Sequence, residues 1–236
     1  MRATFHAGLD ELVSDLVKTV RLAGQMLTDA SIALHQSDSS LAGLVIAQRE
    51  EIKASCDVME RRCVSLLALQ APVAGDLRVV VSALLAVGHV RRMGHLAGHV
   101  ATFAQTKHPN PMALGRVRPT LARMSLLTSQ LAADAATAIE YQDPLSACRL
   151  AVADNEVDDL LRHLFGILFA QDWSHGVEQA VDAALIGRYY ERFGDHAVAI
   201  AQGVCYQVTG EISESTLCVR SAHSGEGANC CQDPAG

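Results

Sequence analysis

Residues 83–101 read ALLAVGHVRRMGHLAGHVA, and residues 183–201 read AALIGRYYERFGDHAVAIA. Ala83, Leu85, Arg92, Gly94, Ala97 and Ala101 of the first stretch meet Ala183, Leu185, Arg192, Gly194, Ala197 and Ala201 of the second, each 100 residues later. Six identities at a single offset along one stretch point to an internal duplication. Neither stretch contains proline, and both are rich in residues that favour helices. The repeated unit is therefore helical, and its extent follows from the breakers on either side.

Six helices are expected. Leu9, Leu12, Val13, Leu16, Val20, Leu27 and Leu34 recur at helical spacing between Phe5 and His35. Ser37-Asp38-Ser39-Ser40 supplies turn and cap chemistry for a second helix over 41–69. Ala71-Pro72 breaks it, and Asp76 is read as the cap of a third helix running to Lys107. His108-Pro109-Asn110-Pro111 ends that helix. The rhythm then repeats. Pro119 stands near the start of helix four, which ends near Tyr141. Asp143-Pro144 reads as the cap and first position of helix five. Gln171-Asp172-Trp173-Ser174 turns the chain, with Ser174 read as a cap and Trp173 as the anchor of the turn. Helix six runs to Thr209 and is closed by Gly210. The expected architecture is all-α, with two tandem three-helix bundles over 1–110 and 111–210. Residues 211–236, rich in Ser, Gly and Cys, read as a disordered tail.

Composition agrees. Hydrophobic residues make up 50%, charged residues 19% and aromatics only 4% of 236 residues. Sheets draw on aromatic and β-branched residues, so this mix favours helices. The net charge of −7 argues against a nucleic-acid partner, which would require a basic face. The most apolar run, Val79 to Val87, is too short to span a bilayer. The chain opens on Met1-Arg2-Ala3-Thr4-Phe5-His6, without the apolar stretch of a signal peptide. A cytoplasmic protein without membrane insertion is expected. The seven cysteines include no Cys-x-x-Cys pair, so a disulfide framework is not expected.

The second copy carries an acidic constellation. Asp154 and Asp158 lie four apart on helix five, and Glu191 and Asp195 lie four apart on helix six, so each pair shares a face. Asp158 precedes Trp173 by 15 residues and Glu191 follows it by 18; for Asp154 and Asp195 the separations are 19 and 22. With a rise of ~1.5 Å per residue, the two pairs stand at similar heights. Clustered carboxylates raise one another's pKa, and a hard cation relieves the repulsion. Oxygen ligands suit Mg²⁺, Mn²⁺, Ca²⁺ or iron. The alternative is a solvated acidic face paired with Arg188, Arg192 or Arg162.

The run Gly187-Arg188-Tyr189-Tyr190-Glu191-Arg192-Phe193-Gly194-Asp195-His196-Ala197-Val198 resembles the signature of the PhoU family. Leu66-Leu67-Ala68-Leu69-Gln70-Ala71-Pro72-Val73-Ala74-Gly75-Asp76-Leu77-Arg78 resembles that family at the corresponding turn of the first repeat. The resemblance spans about residues 5–210. It implies two three-helix bundles, each with a metal motif of the form Glu/Asp-x-x-x-Asp, and a homodimer. It also implies a non-enzymatic negative regulator of phosphate uptake and phosphate-starvation signalling, which contacts the ATPase of a phosphate ABC transporter and a membrane sensor histidine kinase. Glu191 and Asp195 match the second motif, and Asp154 and Asp158 match acidic positions on the preceding helix. Those four residues are the expected ligands of a divalent or iron-type ion (Mg, Mn, Fe or Zn).

The first copy departs from the family pattern. Where acids are expected it carries His89-Val90-Arg91-Arg92-Met93-Gly94-His95, and on helix two the matching positions read as Arg49 and Lys53. Like charges there oppose a cation. Three readings follow: ion pairs with Glu50, Glu51 or Asp57; an anion site; or imidazole ligation of Zn²⁺ or Ni²⁺ by His89, His95 and His99. The rivals for the whole chain are a metal-free degenerate paralogue that binds partners and an enzyme of the carboxylate-metal class. The enzyme would need Glu-x-x-His pairs, a spacing that His196, directly after Asp195, does not satisfy.

Overall fold

The first helix, α1 (Arg2–Gln36), buries Leu9, Leu12, Leu16, Val20, Ala23, Leu27 and Leu34 along one stripe. The computed structural model describes residues 2–107 and 115–210. Five further long helices follow: α2 (Ser39–Gln70), α3 (Ala74–Thr106), α4 (Arg118–Tyr141), α5 (Pro144–Leu168) and α6 (Gly176–Thr209). A single 3₁₀ turn, Gly115–Val117, leads into α4. The break expected at His108–Pro111, the boundary expected between 110 and 111, and the tail expected from 211 lie outside the described residues.

Most ends obey local chemistry. Asp38 caps α2 by accepting hydrogen bonds from the backbone N–H groups of Ser40 (2.9 Å) and Leu41 (3.0 Å). Asp143 caps α5 by accepting from the N–H of Leu145 at 3.0 Å, with Pro144 in the first turn. Gly210 ends α6 in the left-handed region, at φ 77°. Two expected caps are corrected. Helix α3 begins at Ala74 after an extended Val73, so Asp76 lies inside the first turn, where a negative charge faces the helix dipole. Helix α6 begins at Gly176 after His175, not after Ser174. Trp173 does hold that turn, donating its indole N–H to the carbonyl of Gly176 at 2.9 Å.

The helices form a layered bundle. Helices α1 and α3 of the first repeat lie against α4 and α6 of the second: α1 packs on α4, and α3 on α6. Helix α2 flanks the first pair from outside and α5 flanks the second. One continuous apolar cluster runs through all six helices, so the repeats share a core. The Tyr190 hydroxyl, fully buried on α6, lies 2.8 Å from Ser31 Oγ on α1 and ties the repeats at their centre. Lys107 near the end of α3 pairs with Glu178 and Asp182 of α6, each at 2.7 Å. No described helix is long and apolar enough to cross a membrane.

Phe193 is wholly enclosed at the middle of α6. Phe193→Ala should lower unfolding free energy by about 3–5 kcal/mol through lost burial and the cavity left behind. Urea denaturation would register this as a lower midpoint at an unchanged slope.

Candidate functional site

The four predicted acids do gather, on the outer flank of the second repeat where α5 lies against α6. Asp154 is half-buried and Asp158, one turn later, is exposed. Glu191 is 7% exposed and Asp195 is half-buried. Gly194 makes the approach possible: a Cβ there would stand 2.6 Å from Asp154 Oδ1. Any side chain at this position would displace the carboxylate, which accounts for a residue that costs about 1 kcal/mol inside a helix.

The electrostatics follow from this packing. Burial pushes Asp154 up to about 7, and the neighbouring charges of Asp195, Asp158 and Glu191 add to the shift. Burial also raises Glu191 to about 7, with Asp195 as the next cause, while Arg188 opposes. Asp195 is raised by burial and then by Asp158. Asp158 is raised by burial, with Arg162 and Arg188 opposing. The repulsion is mutual, and Asp158 is among the charges that raise Asp154, Glu191 and Asp195. Arg188 holds Glu191 Oε1 from the preceding turn. Arg162 pairs with Asp159 on its own helix instead of joining the cluster.

Two atoms of the cluster are left over. Asp154 Oδ1 and Glu191 Oε2 are buried and accept no hydrogen bond. Buried carboxylate oxygens of this kind are costly unless protonated or met by a cation. Among the described residues no three His, Cys, Asp or Glu side chains stand close enough together to hold a metal ion. The carboxylates therefore converge without closing a coordination shell. The oxygen donors, the two orphaned atoms and the mutual repulsion are of the kind that a hard cation would relieve, but the four side chains as placed do not close around one.

The corresponding flank of the first repeat is built differently from the sequence reading. Gly94, the mate of Gly194, faces Ile52, whose Cγ2 lies 2.9 Å from the position of a Cβ. The place of Asp154 is thus filled by a buried aliphatic residue, not by Arg49 or Lys53. Lys53 is exposed and pairs with Glu50 on its own helix at 3.8 Å. Arg49 extends across Gly98 and donates to His95 Nδ1 at 3.0 Å. Arg91 turns the other way, onto Asp57 and Glu60, each at 2.7 Å. The three histidines considered as metal ligands part company. His95 faces Arg49, and His99 stacks on Tyr189 with ring centroids 5.2 Å apart. His89 meets His196 across the repeats, Nδ1 to Nδ1 at 3.0 Å. That last contact escaped the sequence reading because the two residues are not mates under the 100-residue offset.

Comparison with known proteins places both repeats. The model of the PhoU domain family matches residues 16–104 and 121–204, one match on each. The phosphate-specific transport system accessory protein PhoU homolog 1 of Mycobacterium leprae is 42% identical over 214 residues, covering 91% of this chain and 96% of that protein. PhoU homolog 2 of Mycobacterium tuberculosis is 42% identical over 210 residues, covering 89% and 99%. Among solved structures, PhoU from Pseudomonas aeruginosa superposes with a TM-score of 0.81 at 27% identity, over 88% of this chain and 100% of that one.

The raised acids predict a pH dependence. Without metal, Asp154 and Glu191 keep their protons to about pH 7 when folded, against ordinary values of 3.8 and 4.5 when unfolded. The folded chain then binds more protons between those limits, so its stability falls as pH rises through that window. In the presence of chelator, scanning calorimetry should show a lower Tm at about pH 8 than at about pH 5, and D154N/E191Q should flatten the difference.

Proposed function

The chain belongs to the PhoU family, and on that premise we propose that it is an accessory protein of phosphate transport that restrains phosphate uptake and phosphate-starvation signalling. It acts by protein–protein contact with the ATPase of a phosphate ABC transporter and with a membrane sensor histidine kinase, in the cytoplasm and as a homodimer. The observation that carries this reading is the family match on both repeats, together with near-complete coverage of relatives named as accessory proteins of the phosphate-specific transport system. Those names describe accessory proteins, not enzymes, and the role proposed here is likewise regulatory.

The acidic flank of the second repeat serves this role as a metal-stabilised surface. A divalent or iron-type cation there supplies positive charge that neutralises the carboxylates. Asp154 on α5 and Glu191 and Asp195 on α6 would hold it, and Asp158 would line its exposed side. Closure of these groups draws the outer helix α5 onto α6 and sets the shape that a partner meets.

Elemental analysis of the purified chain should find one metal ion per chain, absent in E191A/D195A. Two ions per chain would defeat the asymmetry between the repeats. Affinity capture from phosphate-rich and phosphate-starved cells should recover the transporter ATPase or the sensor kinase. Recovery of neither under both conditions would remove the partner assignment.

A further inference from the structure

The first repeat has a concentration of positive charge that its own acids do not answer. Arg92, His95 and His99 are spaced three and four residues apart on α3 and share one face. Arg49 reaches them from α2, lying over Gly98 with its guanidinium on His95. Among the described residues no carboxylate lies within ion-pair distance of Arg49 or Arg92, although Arg21, Arg62, Arg91, Arg116, Arg123 and Arg188 all have acidic partners. Of the acids on the adjoining stretch of α2, Asp57 and Glu60 are engaged by Arg91 and Glu50 by Lys53, while Glu51 is exposed and lies beyond ion-pair distance of both arginines. A chain with a net charge of −7 thus leaves two guanidinium groups beside two imidazoles, with no ion-paired carboxylate to answer the guanidinium charge.

We propose that Arg49, Arg92, His95 and His99 form a binding site for a phosphate-bearing anion at the α2–α3 face of the first repeat. The parts are pre-positioned. Arg49 is seated in the cleft that Gly98 leaves open, since a Cβ there would stand 2.2 Å from Arg49 Cδ. Its N–H donates to His95 Nδ1, so the neutral His95 ring carries its proton on Nε2 and can donate it. His99 is held against Tyr189. Arg92 and His99 are exposed and Arg49 and His95 half-buried, so an ion can enter. The α3 residues span seven positions, ~10 Å, a footprint suited to a mono- or diphosphate group and short for an extended acidic peptide. Guanidinium forks match the paired oxygens of a phosphate. After burial, every charge acting on His95 and His99 is positive, and Arg49 and Arg92 act on both. This site is independent of the regulatory role proposed above and of metal at the second repeat.

The test follows the histidine ring resonances of the full chain by NMR, with chelator present. Inorganic phosphate, pyrophosphate and a sugar phosphate are titrated separately against chloride at equal ionic strength. The expected result is a saturable shift of the His95 and His99 signals, weakened about tenfold or more in R49Q, R92Q and the double variant, and retained in E191Q/D195N. Saturation by inorganic phosphate would identify the free ion as the ligand. Saturation only by pyrophosphate or the sugar phosphate would identify a phosphorylated small molecule. Shifts that chloride reproduces, that survive in the folded double variant, or that only an oligoglutamate peptide elicits would overturn the proposal.

Discussion

The distance at which each outer helix lies on its inner neighbour governs this structure. At Gly94 and Gly194 the missing Cβ lets α2 approach α3 and α5 approach α6 until a side chain of the outer helix rests on the backbone of the inner one. In the first repeat that side chain is Ile52, and the contact is ordinary core packing. In the second it is Asp154, and the same approach drives a carboxylate into a half-buried setting beside two others. The duplicated scaffold creates equivalent places, and a single residue type at each decides whether the place is apolar or charged.

From this difference the two flanks acquire opposite electrostatics. The second gathers acids whose protonated forms are favoured by burial and mutual repulsion. The first gathers guanidinium and imidazole groups around Gly98, one turn beyond Gly94. Between them, α3 and α6 are tied by the His89–His196 contact, the His99–Tyr189 stack and the Lys107 ion pairs. Tyr190 with Ser31 adds a buried polar contact between the repeats. A change of charge state on one flank therefore bears on helices that share a single core with the other.

Much of the fold was legible because it rests on local rules. Asp38 and Asp143 act as the caps their positions suggested, and the apolar spacing of α1 marks its buried stripe. Asp76 and Ser174 misled because a residue of capping type is neither sufficient nor necessary for a helix start. Val73 and His175 open their helices without a side-chain cap. At the acidic site, residue counts around Trp173 placed the carboxylates at the right heights. Matching Arg49 and Lys53 to the acidic positions of the second copy left open how each helix is turned about its axis. A step of one residue moves a side chain only ~1.5 Å along the axis but rotates it by ~100°, enough to put Ile52 at the glycine and leave Lys53 in solvent.

The sequence by itself determined the duplication, the six helices, the family and the acidic character of the second repeat, because these follow from spacing, composition and motif along one dimension. Tertiary structure alone decided which side chain each glycine receives, which arginines find acids, and which histidines meet across the repeats. Those outcomes depend on the rotation and closeness of helices that are distant in the chain, and no periodicity within a single helix encodes them.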